Sequence, residues 1–168
     1  MIMKKLYGFL ISAAAVLTGL LLYVSGSSPV LSAAILFVGV GINLYYERQV
    51  ITGASTQAEK TVCMILPPIS EVAILLGIIY VTGFETLGLI YLSVVLILSE
   101  ILGKSDKLGT INQSKLLGRI SRVLVLIAGL ALSQFNTYLA FYAVVFTLIT
   151  VLYDLAILFS DAFTSSSI

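Results

Sequence analysis

The chain has no histidine and a single cysteine, Cys63, among 168 residues, and only 10% of its residues are charged. Without imidazole there is no histidine base and no zinc site of the usual Cys/His kind, and one thiol cannot build a disulfide framework. Acid-base chemistry would fall to the eight carboxylates. Nine Lys plus Arg nearly balance those acids, leaving a formal charge of +1. No basic block and no interleaving of basic with aromatic residues is present, which argues against nucleic-acid binding. The charged fraction is about half that of an ordinary soluble domain.

Apolar length takes the place of charge. Hydrophobic residues make up 60% of the chain and mean hydropathy is +1.13. A helix needs about 20 apolar residues to cross a bilayer. Six runs approach that length, at residues 6–24, 30–46, 62–81, 87–102, 116–132 and 138–159. They predict an all-α integral membrane protein, one six-helix transmembrane bundle with no room for a separate aqueous domain. The fifth run reaches span length only by including Leu116 and Leu117, with Arg119 and Arg122 snorkelling to the surface or lining a wet cavity. The first run follows Met1-Ile-Met-Lys-Lys5 and could pass for a signal peptide. The Ser25-Gly-Ser-Ser-Pro29 break leads straight into another apolar run, so an uncleaved first helix is expected.

Orientation follows from the basic residues, because Lys and Arg are retained on the cytoplasmic side. With six spans, Lys4, Lys5, Arg48, Lys60, Lys104, Lys107, Lys115, Arg119 and Arg122 all fall on one side, and the links 25–29, 82–86 and 133–137 carry none. Both termini are therefore expected in the cytoplasm of a multi-pass cell-membrane protein. The short outer links pair span one with two, three with four and five with six. The longer segments 47–61 and 103–115 are cytoplasmic and hold most of the polar side chains, so any chemistry is expected on that face.

A carboxylate at membrane depth is a candidate site by default, because hydrocarbon penalises an unpaired charge by several kcal/mol. Glu71 and Asp154 qualify. Glu71 lies nine residues past Val62, or roughly 13 Å along a helix, and Pro67-Pro68 could unwind that segment and admit water. The simpler role for Glu71 is an interior carboxylate bonded to Ser70 or Arg122, holding two helices together. Asp154, near the cytoplasmic end of span six, is expected to be solvated. Asn43 could offer a carbonyl oxygen to a cation, although one interhelical hydrogen bond is the commoner use. Gly39 and Gly41 beside Ala33 and Ala34 give span two a narrow face suited to another helix. No base or cation is placed to activate Cys63, which reads as a small packing residue. Arg119 and Arg122, at i and i+3 with Lys115 one turn earlier, share a helical face where guanidinium donors suit a phosphate or anchor to anionic lipid.

Taken together, Ser70-Glu-Val-Ala-Ile-Leu-Leu-Gly77, Leu117-Gly-Arg-Ile-Ser-Arg-Val123 and Thr150-Val-Leu-Tyr-Asp154 resemble parts of the CDP-alcohol phosphatidyltransferase family, especially its archaeal members. The resemblance implies a six-span fold with a cytoplasm-facing site, and a dimer. The family's signature is D-x-x-D-G-x-x-A-R followed, after a spacer, by G-x-x-x-D-x-x-x-D. Its aspartates hold divalent metals at the CDP diphosphate, and the last is also the base for the incoming alcohol. Anchoring on Ser70-Glu71 puts the four aspartates at Ile42, Tyr45, Cys63 and Pro67, and a one-residue shift brings only Asn43 to the first position.

The resemblance therefore implies a degenerate relative without transferase activity and without a cofactor, with Arg119, Arg122 and Lys115 as the remnant of a phosphate-binding surface. It would bind phospholipid or pair with itself or another membrane protein. An active enzyme would need an altered magnesium or manganese site from Asn43, Glu47, Glu59 and Glu71, with Glu71 the candidate catalytic group. Glu47 and Glu59 next to Arg48 and Lys60 are more simply solvated ion pairs. From another class, a small transporter or complex subunit would use Glu71 and Asp154 along an ion path.

Overall fold

A computed structural model describes the backbone of residues 2–52, 55–104 and 111–165, and within those helices it describes all side chains except those of residues 2–4, 51–52, 64, 99–104, 111–117, 158 and 161–165. The described chain is helical throughout, in the order α1 (Ile2–Val24), α2 (Pro29–Thr52), α3 (Gln57–Thr82), α4 (Glu85–Lys104), α5 (Ile111–Leu132) and α6 (Thr137–Ser165). Four stretches are long and apolar enough to cross a membrane: Lys5–Val24, Pro29–Val50, Gln57–Thr82 and Thr137–Ile157. The described apolar part of α4, Glu85–Leu98, is shorter.

Local chemistry sets where the helices begin and end. Pro29 opens α2 at a position where a missing N–H costs nothing. Thr56 and Glu59 cap the start of α3 reciprocally: the Glu59 N–H donates to Thr56 Oγ1 and the Thr56 N–H donates to Glu59 Oε2. At its far end Gly83 takes φ 76° and donates its N–H to the Ile79 carbonyl at 2.7 Å, a left-handed stop that only glycine adopts without strain.

The helices outrun the apolar segments. α2 continues to Thr52 and α3 starts at Gln57, so the polar segment expected at 47–61 is mostly helix. Glu, Arg and Gln propagate a helix as well as most apolar residues do, so loss of hydrophobicity marks a change of surroundings and not a helix end. Of the segment 103–115, residues 105–110 lie outside the described structure and α5 is already formed at Ile111. Pro67 and Pro68 do not unwind α3, which runs through both. They deprive the carbonyls four residues earlier of their donors, yet an apolar setting offers the remaining backbone no better partner than the helix.

Helix α3 is central and touches all five others, while α1 packs mainly on α2, and α5 on α6. Leu36, Ile74, Leu75, Ile78, Tyr91, Leu126 and Leu130 form the fully buried centre. A smaller cluster of Phe9, Val50 and Cys63 closes the end near the start of α3, which gives Cys63 the packing role expected of it. Most exposed aromatics lie towards the ends of the helices, with Tyr80, Phe135, Tyr138 and Tyr142 at one and Tyr7, Tyr45, Tyr153 and Phe159 at the other, while Phe37 and Phe146 lie between them. Amphipathic rings are enriched at the two membrane–water interfaces.

The small face of α2 is divided. Ala33 and Gly39 are buried, and Ser12 Oγ of α1 donates to the Gly39 carbonyl at 2.8 Å. Gly41 and Ala34 face outward. A Cβ on Gly39 would sit 3.0 Å from Ala15 Cβ and 3.1 Å from the Val16 backbone nitrogen, whereas one on Gly41 meets nothing within 4 Å. Gly39→Leu is expected to lower stability by about 1–3 kcal/mol through forced separation of α1 and α2. Gly41→Leu should leave it nearly unchanged. Thermal unfolding of the two variants in detergent checks the contrast.

Candidate functional site

Three acids of the bundle, from α2, α3 and α6, meet two arginines of α5. Arg119 and Arg122, three residues apart on one face, enter the bundle from that helix. Arg119 forks onto Glu47 of α2, with Nη1 donating to Oε1 at 2.8 Å and Nη2 to Oε2. Arg122 bridges two acids: Nε donates to Glu71 Oε1 of α3 at 3.0 Å, and Nη1 to Asp154 Oδ2 of α6 at 2.6 Å. Tyr91 of α4 donates its hydroxyl to the same Glu71 oxygen. One helix thus binds α2, α3 and α6 through ion pairs, and α4 is joined through Glu71.

These groups are out of water. Glu71, Arg122 and Glu47 are 1%, 5% and 6% exposed, and Tyr91 is fully buried. A buried guanidinium is tolerable only when carboxylates face its donors in good geometry, and the bidentate fork of Arg119 is the strongest form of that contact. Three acids meet two cations, so the cluster carries one negative charge in excess. Asp154 is the member whose side chain stays 38% exposed and keeps part of its hydration.

The acids and amides singled out from the sequence are distributed as follows. Glu71 is the interior carboxylate bound to Arg122, while the Ser70 hydroxyl donates to the Leu66 carbonyl of its own helix at 2.9 Å. Asp154 is an ion-pair partner and not a purely solvated acid. Glu47 and Glu59 were expected in solvated pairs with Arg48 and Lys60, yet both are buried. Each has gone to a partner that desolvation makes worthwhile, Glu47 to Arg119 and Glu59 to the α3 cap. Lys115 belongs to the first turns of α5, and its side chain lies outside the described residues. Asn43, on α2 one turn before Glu47, is 2% exposed and its Oδ1 has no partner among the described residues, so the expected interhelical bond from that oxygen is not made.

Asn43, Pro67, Ser70, Glu71 and Arg119 line a small space where α2, α3 and α5 meet, leaving about 10 Å³ for the centre of a water-sized molecule. Asn43, Glu47 and Glu59 do not form a shared donor set. Both Glu47 oxygens face Arg119, and Glu59 folds back onto Thr56. Among the described residues, no group of three His, Cys, Asp or Glu side chains is placed to hold a metal ion.

Sequence reasoning missed Tyr91 and the Glu47–Arg119 fork. A tyrosine in an apolar run has no spacing that betrays its partner, although a carboxylate at depth demands more than one donor. The Glu59 role was legible, since Thr56-x-x-Glu59 opening an apolar run is a capping box.

Removing Arg122 leaves Glu71 buried with the Tyr91 hydroxyl but no cation, and takes the cation from the partly hydrated Asp154. Arg122→Met is expected to destabilise the bundle by about 3–5 kcal/mol. Adding Glu71→Gln to that variant should recover part of the loss, because a neutral amide no longer needs a cation. Arg119→Met should cost less, since its side chain is 16% exposed and water can reach Glu47 when it goes. Unfolding midpoints of the single and double variants in detergent measure the order.

No protein-family model, no curated protein and no solved structure matches this chain.

Proposed function

We propose that this chain is a six-span cell-membrane protein of the CDP-alcohol phosphatidyltransferase type that has lost transferase activity and serves as a phospholipid-contacting or auxiliary membrane subunit, with both termini cytoplasmic. The placement of all nine basic residues on one side of a six-span reading supports the orientation. The two aromatic girdles and the four long apolar helices support the membrane setting.

One observation carries the loss of activity. Phosphoryl transfer from CDP-diacylglycerol needs metal ions, convergent oxygen ligands and an open cleft for a diphosphate. Here the two guanidinium groups best suited to a phosphate are each engaged by the protein's own carboxylates, and the space beside Arg119 leaves only about 10 Å³ for the centre of a water-sized molecule. Glu47 stands to Arg119 as a phosphate oxygen pair would, as a built-in counter-ion. The positions aligned with the family's four aspartates, Ile42, Tyr45, Cys63 and Pro67, contribute an alkyl chain, a phenol, a packed thiol and an imino acid, none of which replaces a carboxylate on a divalent cation, and a one-residue shift adds only the Asn43 amide. What is left is a charged junction that fixes helices.

The purified protein in mixed micelles with CDP-diacylglycerol, magnesium or manganese and a panel of alcohol acceptors should release no CMP above a protein-free control. Metal-dependent CMP release would overturn the proposal in favour of an active enzyme with an altered metal site.

A further inference from the structure

We propose that the small space between α2, α3 and α5 binds one water molecule that joins the two ion-pair groups of the interior into a single hydrogen-bonded network. The inference stands on the geometry of the junction and does not depend on the functional reading above.

Asn43 lines this space, and its buried amide oxygen has no partner among the described residues. Buried acceptors are almost always satisfied by protein or by ordered water; of the two buried side-chain oxygens without a partner among the described residues, Glu59 Oε1 and Asn43 Oδ1, it is Asn43 that belongs to a residue lining this space. The space, about 10 Å³ for the centre of a water-sized molecule, is about the least that holds one water and is smaller than phosphate needs.

The charges lining the space select among small occupants. A monovalent cation would face the Arg119 guanidinium, and a small anion would face the Glu71 carboxylate. A neutral molecule able both to donate and to accept is repelled by neither. The unused hydrogen-bonding capacity agrees. Arg119 spends one N–H of each terminal nitrogen on Glu47 and retains others. Ser70 has committed its proton to the Leu66 carbonyl and can only accept. Water accepting from Arg119, donating one hydrogen to Asn43 Oδ1 and the other to the Glu71 carboxylate meets every one of these requirements. It links the Glu47–Arg119 fork to the Tyr91, Glu71, Arg122 and Asp154 group, so the polar contacts run without a break from α2 to α6.

The test is a crystal structure of the full chain grown from a lipid phase, at a resolution that shows waters, with a parallel thallium(I) soak. The expected result is a density peak at about 2.7–3.2 Å from Asn43 Oδ1, within reach of Arg119, and no anomalous signal there. An empty space, a thallium peak, or an Asn43–Arg119 bond that closes the gap would each overturn the proposal. Thermal unfolding in detergent gives an independent reading with opposite signs for a wet and a dry site. Asn43→Leu displaces a bound water and strands the donors and acceptors it served, lowering the midpoint by about 2–4 °C or more. In a dry site the same substitution removes an orphan acceptor and fills a void, so an unchanged or raised midpoint counts against the water.

Discussion

Two guanidinium groups on one helix, carried into an apolar interior, set the terms for everything around them. Arg119 and Arg122 cannot be left there unpaired, and neither can the acids that answer them. The stable arrangement is the one in which α2, α3 and α6 each bring a carboxylate to α5 at hydrogen-bond distance. Apolar packing alone would not choose that arrangement. Between lipid-like surfaces, sliding or rotating one leucine-rich helix against another changes little, whereas moving α5 by one residue would break three charge-assisted contacts. The ion pairs therefore specify register, and the buried Ile74, Leu75, Ile78, Leu126 and Leu130 then interlock in the register so fixed.

The same pairing bears on chemistry. An arginine that is to hold a substrate phosphate must face a space with its donors unspent. In this bundle each guanidinium is engaged by internal carboxylates, and the space beside Arg119, lined by Asn43 and Pro67, is small. A carboxylate that neutralises a guanidinium is also a poor metal ligand, because its lone pairs are already occupied and the adjacent positive charge disfavours a second cation. Structural use and catalytic use of these residues are thus competitive. The more completely the ion pairs close, the less the junction can do for a nucleotide-linked lipid, which is why the proposed loss of activity and the rigidity of the helix junction are two aspects of one arrangement.

How much of this was legible before any coordinates depends on the range of the interaction. The helices announce themselves because a long apolar run with few glycines or prolines has no other way to satisfy its backbone, and the Gly83 stop and the Thr56–Glu59 cap are local signals of known form. The Glu71–Arg122 pair was foreseeable as one option, since a lone acid at depth restricts the choice of partner to the few cations in apolar segments. The Glu47–Arg119 fork was not, because Glu47 sits beside Arg48 in the sequence and near an apparent helix end, where solvation is the ordinary expectation. It became buried because α2 continues to Thr52 and holds Glu47 inside the bundle. Tyr91 was hidden for the opposite reason, an aromatic among aliphatics whose hydroxyl has no sequence signature at all.

Pro67 and Pro68 show how the same residues can carry opposite expectations. Read locally, two adjacent prolines end or unwind a helix. Read in context, they sit in the one helix that touches all five others, so the surrounding side chains hold the backbone in place where isolated chain would break. Pro67 is itself buried against α2 and α5 at the edge of the polar junction. Its ring adds volume and rigidity there without a polar atom of its own to satisfy. A flexible or charged residue at that position would either leave room for more water beside Glu71 and Arg119 or bring a further charge to be neutralised. The helix keeps its course because its neighbours are already fixed by the arginines, and the proline in turn keeps the space between them small.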